Sequence, residues 1–578
     1  MKSATRDDHS DVQREIRIIA ILTVIGAVLR FWGLPRLGLN HFDEGIYALA
    51  GLWIYSPHGL IGIDPTTIAY APPGLVTLIG LSYWLFGVGD YAAILVSLVA
   101  GTLTIPAVGW VAAQTFGRRA GAAAAALAAV AGPHIVFSRM ALTDTLFLLF
   151  WTITLGLAQR FLEKPGPVRS GLLGLGVGLS QLVKYNGYLL GIIALASACL
   201  WIVADHRRQR ASRWPAIVGW GTIAALVSMI IYAPWFQFVE THGGYAALLA
   251  HHRSYLGGVG SWPSYLWVQL AEARLLSGGP LWTVGGGALA LLAVWICLAG
   301  VKSESARIGS RVLQLSTVLA ISASPNLGWW VTSAWLCAIP VLLIAHARFD
   351  RASTVIAMGA LTLLILTPFY HPYARLWLPL HAFGWIVCGG LIATIARPHW
   401  WAERLASMWP VVRSGGVIWL SSACLLGVFA GEVYVTASRA PRPVSIVGGT
   451  DSLRIACAAI RAEVPKNVSR IRLYARPPVT FYLGGELPLE PMPSWDRMLG
   501  RSDSGTWAIL DSAMLRQEGR SAPWNNAMGR DWVLVKSVDA NLSPGALLDI
   551  DPSSALNDSW DDSTAILLFR PALAGTTR

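Results

Sequence analysis

The stretch APPGLVTLIGLSYWLFGVG, residues 71–89, is apolar enough to pass for a membrane span, and its reading decides on which side of a bilayer every later segment falls. If it crosses, the arginine-rich loops that follow lie outside, against the bias that keeps positive charge in the cytoplasm. If it lies flat, they stay inside. Its Pro72-Pro73 start and its Tyr83-Trp84 pair suit a helix in the outer interface, with aromatic rings at headgroup depth. That reading is adopted here, with a short span as its alternative.

The surrounding sequence has the same apolar character. Hydrophobic residues make up 54% of the chain and charged residues 13%, and mean hydropathy is +0.53. Such values exclude an ordinary soluble globular protein and point to many membrane spans. About thirteen apolar stretches are long enough to cross the hydrocarbon core: 16–33, 92–115, 119–137, 142–162, 170–186, 187–204, 214–236, 280–301, 312–328, 330–346, 353–369, 376–396 and 415–435. The first ends in LRFWGLPRLG, which has bulky residues where a signal-peptidase site needs small ones, so it reads as an uncleaved span. Cys199, Cys297, Cys337, Cys388 and Cys424 lie within apolar runs and Cys457 in a polar one, without disulfide or zinc spacing.

With the N-terminus inside, the inner loops hold roughly 21 Lys and Arg against about 7 on the outer side of the membrane domain. The net charge of +12 is therefore a topology signal rather than the clustered basic face of a nucleic-acid binder. An odd number of spans delivers the rest of the chain outside. The expected organisation is a mostly α polytopic membrane domain, 1–436, and a small extracytoplasmic α/β domain, 437–578, marked by strand-like runs broken by Gly, Pro and Asn. The alanine-rich, cysteine-poor composition points to a bacterial inner membrane.

On this threading Asp43, Glu44, Arg139, Asp144, Lys184, Arg253 and Arg375 gather at the outer face. Ionisable residues at membrane depth are costly and tend to mark a pathway or a site. Each has a plainer reading as well. Asp43 is placed to be the N-cap of EGIYALAGLWIY, with Glu44 against the positive helix end. Thr143 or Asp144 can cap the next run, and Arg139 and Arg375 can snorkel to lipid phosphates. Lys184 resists such an account, because it interrupts an almost continuous apolar stretch. His251 and His252 are adjacent and make a poor metal pair.

The motifs resemble, in order, those of the C-type membrane glycosyltransferases, in the branch of protein O-mannosyltransferases and aminoarabinose transferases. HFDEGIYALAG is similar to the first acidic motif, AYAPPGLVTLIGLSYWLFG (with Tyr70, Pro72 and Pro73) to the interfacial helix, and SRMALTDTLFLLFW to the second acidic motif. GLSQLVKYNGYLLG is similar to the Gly/Lys segment, and HHRSYLGGVGSWPSYLWVQL to the large outer loop. YHPYARLWLPLHAF matches a late Arg-x-x-x-Leu-Pro segment, with His381 where a second proline is common, and Ala71 stands where some members carry Lys.

The resemblance implies a sugar carried on a polyprenyl phosphate and transferred with inversion to an extracytoplasmic hydroxyl of a lipid, glycan or protein. Asp43 is then the expected base, with Glu44 supporting it or binding acceptor. The leaving phosphate needs cations or a metal. Arg253 comes first, then Lys184, Arg375 and Arg139, while Asp144 orients a cation or the sugar. Tyr70, Pro72, Pro73 and His252 are expected to line the lipid and substrate path. No metal cage is read from the sequence, and a divalent cation stays as an alternative. The competing class is a transporter or flippase of a lipid-linked sugar, against which stands the lack of repeated halves.

Overall fold

The computed structural model describes residues 4–56, 71–207, 214–276, 351–395, 449–494, 498, 505–518, 532–556 and 561–572. Over these residues the apolar runs become helices: α1 (Ala4–Phe31), α2 (Phe42–Tyr55), α3 (Gly74–Phe86), α4 (Asp90–Phe116), α5 (Arg118–Val130), α6 (Gly132–Ser138), α7 (Thr143–Glu163), α8 (Pro167–Val183), α9 (Leu189–Arg207) and α10 (Trp214–Thr241). Then come α11 (Gly244–Arg253), α12 (Trp262–Leu276), α13 (Arg351–Leu366) and α14 (Leu378–Ile395). Five described spans are long and apolar enough to cross a membrane, six if the bent pair α5 and α6 counts as one. The expected spans 280–301, 312–328, 330–346 and 415–435 lie outside the described residues.

Helix α3 has 13 residues, about 20 Å at the α-helical rise, well short of the hydrocarbon thickness. It packs tightly on α2, since a Cβ on Gly51 would come within 2.4 Å of Ile79. The expectation for its aromatic pair needs correcting. Trp84 is exposed, but Tyr83 is fully buried and its hydroxyl donates to the Ala48 carbonyl, so it belongs to the core and not to the headgroup layer.

The run expected as one span at 119–137 is broken. Pro133 lacks an N–H at the first turn of α6, and the chain bends by 58° between α5 and α6. The bend leaves carbonyls at the end of α5 without helical partners, and Arg30 of α1 fills the gap. Its guanidinium, fully buried, donates to the carbonyls of Ala129 (3.1 Å), Ala128 (3.2 Å) and Gly26 (2.9 Å) and meets His134 Nδ1 at 2.7 Å. The negative end of α5 thus answers a charge that, among the described residues, has no carboxylate paired with it. Arg30→Met is expected to cost about 2–4 kcal/mol, because several buried acceptors lose their donor at once. The check is the unfolding midpoint in detergent, and an unchanged midpoint would remove Arg30 from this role.

Small residues let the spans approach. A Cβ on Gly174 of α8 would meet the Ala224 carbonyl of α10 at 2.3 Å, and one on Gly178 would meet Ile231 at 2.9 Å. The outer face of α10 exposes Met229 and Ile230, as a lipid-facing helix does.

The C-terminal part folds as α15 (Ser452–Glu463), β1 (Arg470–Tyr474), α16 (Pro477–Leu483), β2 (Leu489–Pro491), β3 (Thr506–Asp511), α17 (Ser512–Gln517), β4 (Trp532–Asp539), α18 (Pro544–Ile550) and β5 (Ala565–Pro571). The sheet order is β2-β1-β3-β5-β4, with β2, β1 and β3 parallel and β5 antiparallel to both neighbours. Alternating apolar residues of β1, β3 and β5 (Ile471, Leu473, Ile509, Ile566, Leu568) pack with α15.

This sheet domain straps down residues 35–41. Arg476, almost fully buried, pairs with Asp511 (2.6 Å) and donates to the Asn40 carbonyl (2.7 Å). The Asn40 side chain bonds Ser543 N and Asn541 O, Tyr482 Oη accepts from Leu39 N, and Arg454 reaches Asp90 at 2.8 Å. Gly45 touches the domain directly, since a Cβ there would lie 2.2 Å from the Pro478 nitrogen. The start of α2 is therefore held from both sides.

Candidate active site

The first turn of α2 separates the two adjacent carboxylates. The N-cap is His41, not Asp43: its Nδ1 accepts the Asp43 N–H at 3.0 Å in a capping box with Glu44. Glu44 turns back into the protein, where its carboxylate accepts from Asn40 N (2.9 Å), His41 N (2.8 Å) and Ala141 N (2.8 Å) and is almost fully buried. Burial raises its pKa and the three N–H groups oppose that rise. The expectation that Glu44 helps the base or holds acceptor is thus corrected, because its oxygens are spent on joining α2 to the turn before α7.

Asp43 faces the other way, toward Arg375, whose Nη1 lies 2.7 Å from Asp43 Oδ2. Arg375 sits in the turn just before α14, its guanidinium 5.0 Å above the Tyr373 ring. The same guanidinium stands 3.0 Å from Asp549 Oδ2 and 3.9 Å from Asp144 Oδ2. Lys184, in the break between α8 and α9, pairs with Asp144 at 2.5 Å. Asp43, Asp144, Lys184 and Arg375 therefore meet in one cluster. Burial disfavours a charged Asp43, but Arg375, His41 and Lys184 outweigh it and hold its carboxyl below the usual carboxylate range.

Exposure ranks the three acids of the cluster. The side chain of Asp43 is 27% exposed, that of Asp549 5% and that of Asp144 2%. Lys184, at 22%, is the more open of the two cations. Solvent reaches Asp43 and Lys184.

The other expected residues lie elsewhere. Arg139 is buried and donates to the carbonyls of Arg30 (2.9 Å) and Trp32 (2.6 Å), closing the end of α1, which corrects its expected place on a phosphate. Arg253 is exposed at the last residue of α11, outside the cluster and not at its head as expected. Its neighbour His252 does approach: Nδ1 is 3.0 Å from Tyr370 Oη, and backbone bonds join residues 255–257 to 369–371, ahead of Arg375. Pro72 and Pro73 begin α3 against the end of α8, next to Lys184, where a Cβ on Gly74 would meet Leu182 O at 2.7 Å. Tyr70 lies outside the described residues. Among the described residues no group of three or more His, Cys, Asp or Glu could hold a metal ion.

The sequence reading missed His41 and Asp549. His41 Nε2 lies 2.7 Å from Asp549 Oδ2, across 508 positions of chain. Burial would lower its pKa, but Asp549 and Asp43 pull it up. His41 stands two residues before Asp43 and could have been suspected. Asp549 carries no local signal.

Comparison with known proteins agrees with this architecture. Residues 70–235 match the family model described as dolichyl-phosphate-mannose-protein mannosyltransferase. The undecaprenyl phosphate-alpha-4-amino-4-deoxy-L-arabinose arabinosyl transferase of Edwardsiella ictaluri is 23% identical over 264 residues, 43% of this chain and 38% of that protein's length. Crystal structures of ArnT from Cupriavidus metallidurans are similar in fold at 16% identity: the apo state has a TM-score of 0.51 and covers 97% of this chain and 98% of its own. The form bound to undecaprenyl phosphate has a TM-score of 0.50, with 96% and 97% covered. Residues 70–235 of the chain are thus similar to that mannosyltransferase family model, and the described chain shares the fold of the ArnT structures.

Proposed function

We propose that this chain is an inverting glycosyltransferase that moves a sugar from a polyprenyl-phosphate donor to an acceptor hydroxyl at the extracytoplasmic rim of a bacterial inner membrane. The observation that carries the reading is the open carboxylate of Asp43 beside the cations Arg375 and Lys184, next to the Pro-Pro start of a helix too short to span.

In this reading the donor's phosphate lies against Lys184 and the open edge of Arg375. The acceptor oxygen attacks the anomeric carbon from the side of Asp43. Its O–H proton passes to the Asp43 carboxylate as the new C–O bond forms. The bond between the anomeric carbon and the phosphate oxygen breaks, and its electron pair stays on the phosphate. A phosphate leaving group needs no general acid, so one carboxylate and two cations suffice, unlike the paired acids of glycosidases. The depressed pKa keeps Asp43 ionised at neutral pH. It is a weak base there, so proton transfer comes late, once bond formation has made the hydroxyl acidic.

The fold's relatives support the lipid-phosphate donor, since one is a structure bound to undecaprenyl phosphate. Mass spectrometry of envelope lipids and glycans from cells with and without the protein tests the reading. The expected result is one sugar-bearing species lost on deletion while its polyprenyl-phosphate sugar accumulates. Unchanged profiles, together with no binding of undecaprenyl phosphate by the purified protein, would overturn it.

A further inference from the structure

The Asp43 side chain and the backbone that carries it converge on a single oxygen of the C-terminal domain. We propose that Asp549 is a positioning residue for Asp43, acting on it through two arms, His41 and Arg375; this rests on the reading of Asp43 as the base.

The first arm holds the main chain. Because His41 Nδ1 accepts the Asp43 N–H, its ring proton sits on Nε2 and is donated to Asp549 Oδ2 at 2.7 Å. Asp549 thereby selects the tautomer that caps α2 at Asp43. The second arm holds the side chain. The same Oδ2 lies 3.0 Å from Arg375 Nε, and Nη1 of that guanidinium lies 2.7 Å from Asp43 Oδ2. Loss of Asp549 would free the imidazole to flip and the guanidinium to swing, and either movement displaces the base.

Asp549 is itself firmly placed. It lies near the end of α18, whose first turn is capped by Ser543 Oγ (accepting from Ala546 N) while Ser543 N donates to Asn40. Gly545 allows close approach to the membrane domain, since a Cβ there would lie 2.6 Å from Met140 Sδ. Leu548 is fully buried within the core that the membrane helices form. Glu272 of α12, fully buried with neither carboxylate oxygen partnered among the described residues, stands near Asp549, and burial and that neighbour push its pKa up. The C-terminal domain is therefore part of the catalytic centre, and its docking sets whether the base is in place.

The test uses the full-length protein in lipid nanodiscs as wild type, Asp549→Asn, Asp549→Glu and Asp43→Asn. Hydrogen exchange reads the arms without any substrate. Asp549→Asn should speed exchange about 10-fold at amides of residues 42–46 and 373–377, with β1 and β3 as protected as in wild type. In transfer from a polyprenyl-phosphate sugar it should lower kcat about 10–100-fold with KM for the donor unchanged or reduced, as a misplaced base does. Asp549→Glu, which keeps the charge, should recover part of kcat. Exchange and kcat both unchanged would overturn the proposal, and so would protection lost equally across β1 and β3, which would make Asp549 a docking residue only. If exchange responds as stated while Asp43→Asn transfers like wild type, the positioning stands and the base assignment falls.

Discussion

Asp43→Asn is expected to give a folded protein that binds undecaprenyl phosphate at least as tightly as wild type and transfers sugar about 10²–10⁴-fold more slowly, the range for loss of a general base. The amide is isosteric, so the cap at His41, which uses the Asp43 backbone N–H, is untouched. It also removes one negative charge from beside Arg375, which favours an anion there. Neither neighbouring acid can take over: Asp144 is nearly closed off and paired with Lys184, and Asp549 is closed off and paired with His41. The pH profile gives an independent reading. A carboxylate whose pKa is depressed stays ionised until the pH falls through that lowered value, so the acid limb of kcat/KM should lie below about pH 3.9, the ordinary aspartate value. Arg375→Lys, whose ammonium cannot span Asp43 and Asp549 together, weakens the main depressing charge while keeping some transfer, and the limb should then move upward. Transfer by Asp43→Asn at the wild-type rate, or an acid limb unmoved in Arg375→Lys, would end the assignment of Asp43 as base.

How far the site was legible from sequence depended on whether a residue's partner was nearby in the chain or supplied by the fold. Asp43, Asp144, Lys184 and Arg375 stood out because each interrupts or borders an apolar run where charge is expensive, and the fold brings all four together. The difference between Asp43 and Glu44 was not legible. Successive helical residues point about 100° apart, so one faces outward and the other inward, and which is which depends on the cap. The cap is a histidine, outside the usual capping set. Arg139 misled because the threading gathered it at the outer face with the other ionisable residues, whereas the loose carbonyls at the end of α1 claim it. Tyr83 shows the same limit: an amphipathic ring fits an interface or a core, and only the packing of α3 on α2 decides. The C-terminal domain read as a soluble appendage because its strands carry an ordinary alternating pattern. Nothing in that pattern announces the Asn40–Arg476–Asp511 network or the reach of Asp549.

Arg375→Gln is expected to cost about 3–5 kcal/mol of stability and to abolish measurable transfer, since it strips the common partner from a set of buried acids. Arg375 answers Asp43, Asp549 and Asp144 at 2.7, 3.0 and 3.9 Å, and the remaining cation, Lys184, reaches Asp144 alone. With glutamine in place, two closed-off carboxylates and the base confront one ammonium, and an incoming lipid phosphate meets net negative charge. Affinity for undecaprenyl phosphate should therefore fall together with stability, the opposite of the change expected for Asp43→Asn. Arg375→Lys should recover less than its charge suggests. An ammonium is a point donor and cannot span Asp43 and Asp549 as the planar guanidinium does, nor lie flat above Tyr373. Pairing Arg375→Gln with Asp549→Asn separates the two effects. Removing the stranded carboxylate should restore much of the lost stability, while transfer stays absent because Lys184, held by Asp144, is left alone to meet the phosphate. Unfolding midpoints and lipid binding across these variants check the argument. An Arg375→Gln protein that is as stable as wild type and still transfers sugar would mean that the cluster is held by something other than this guanidinium.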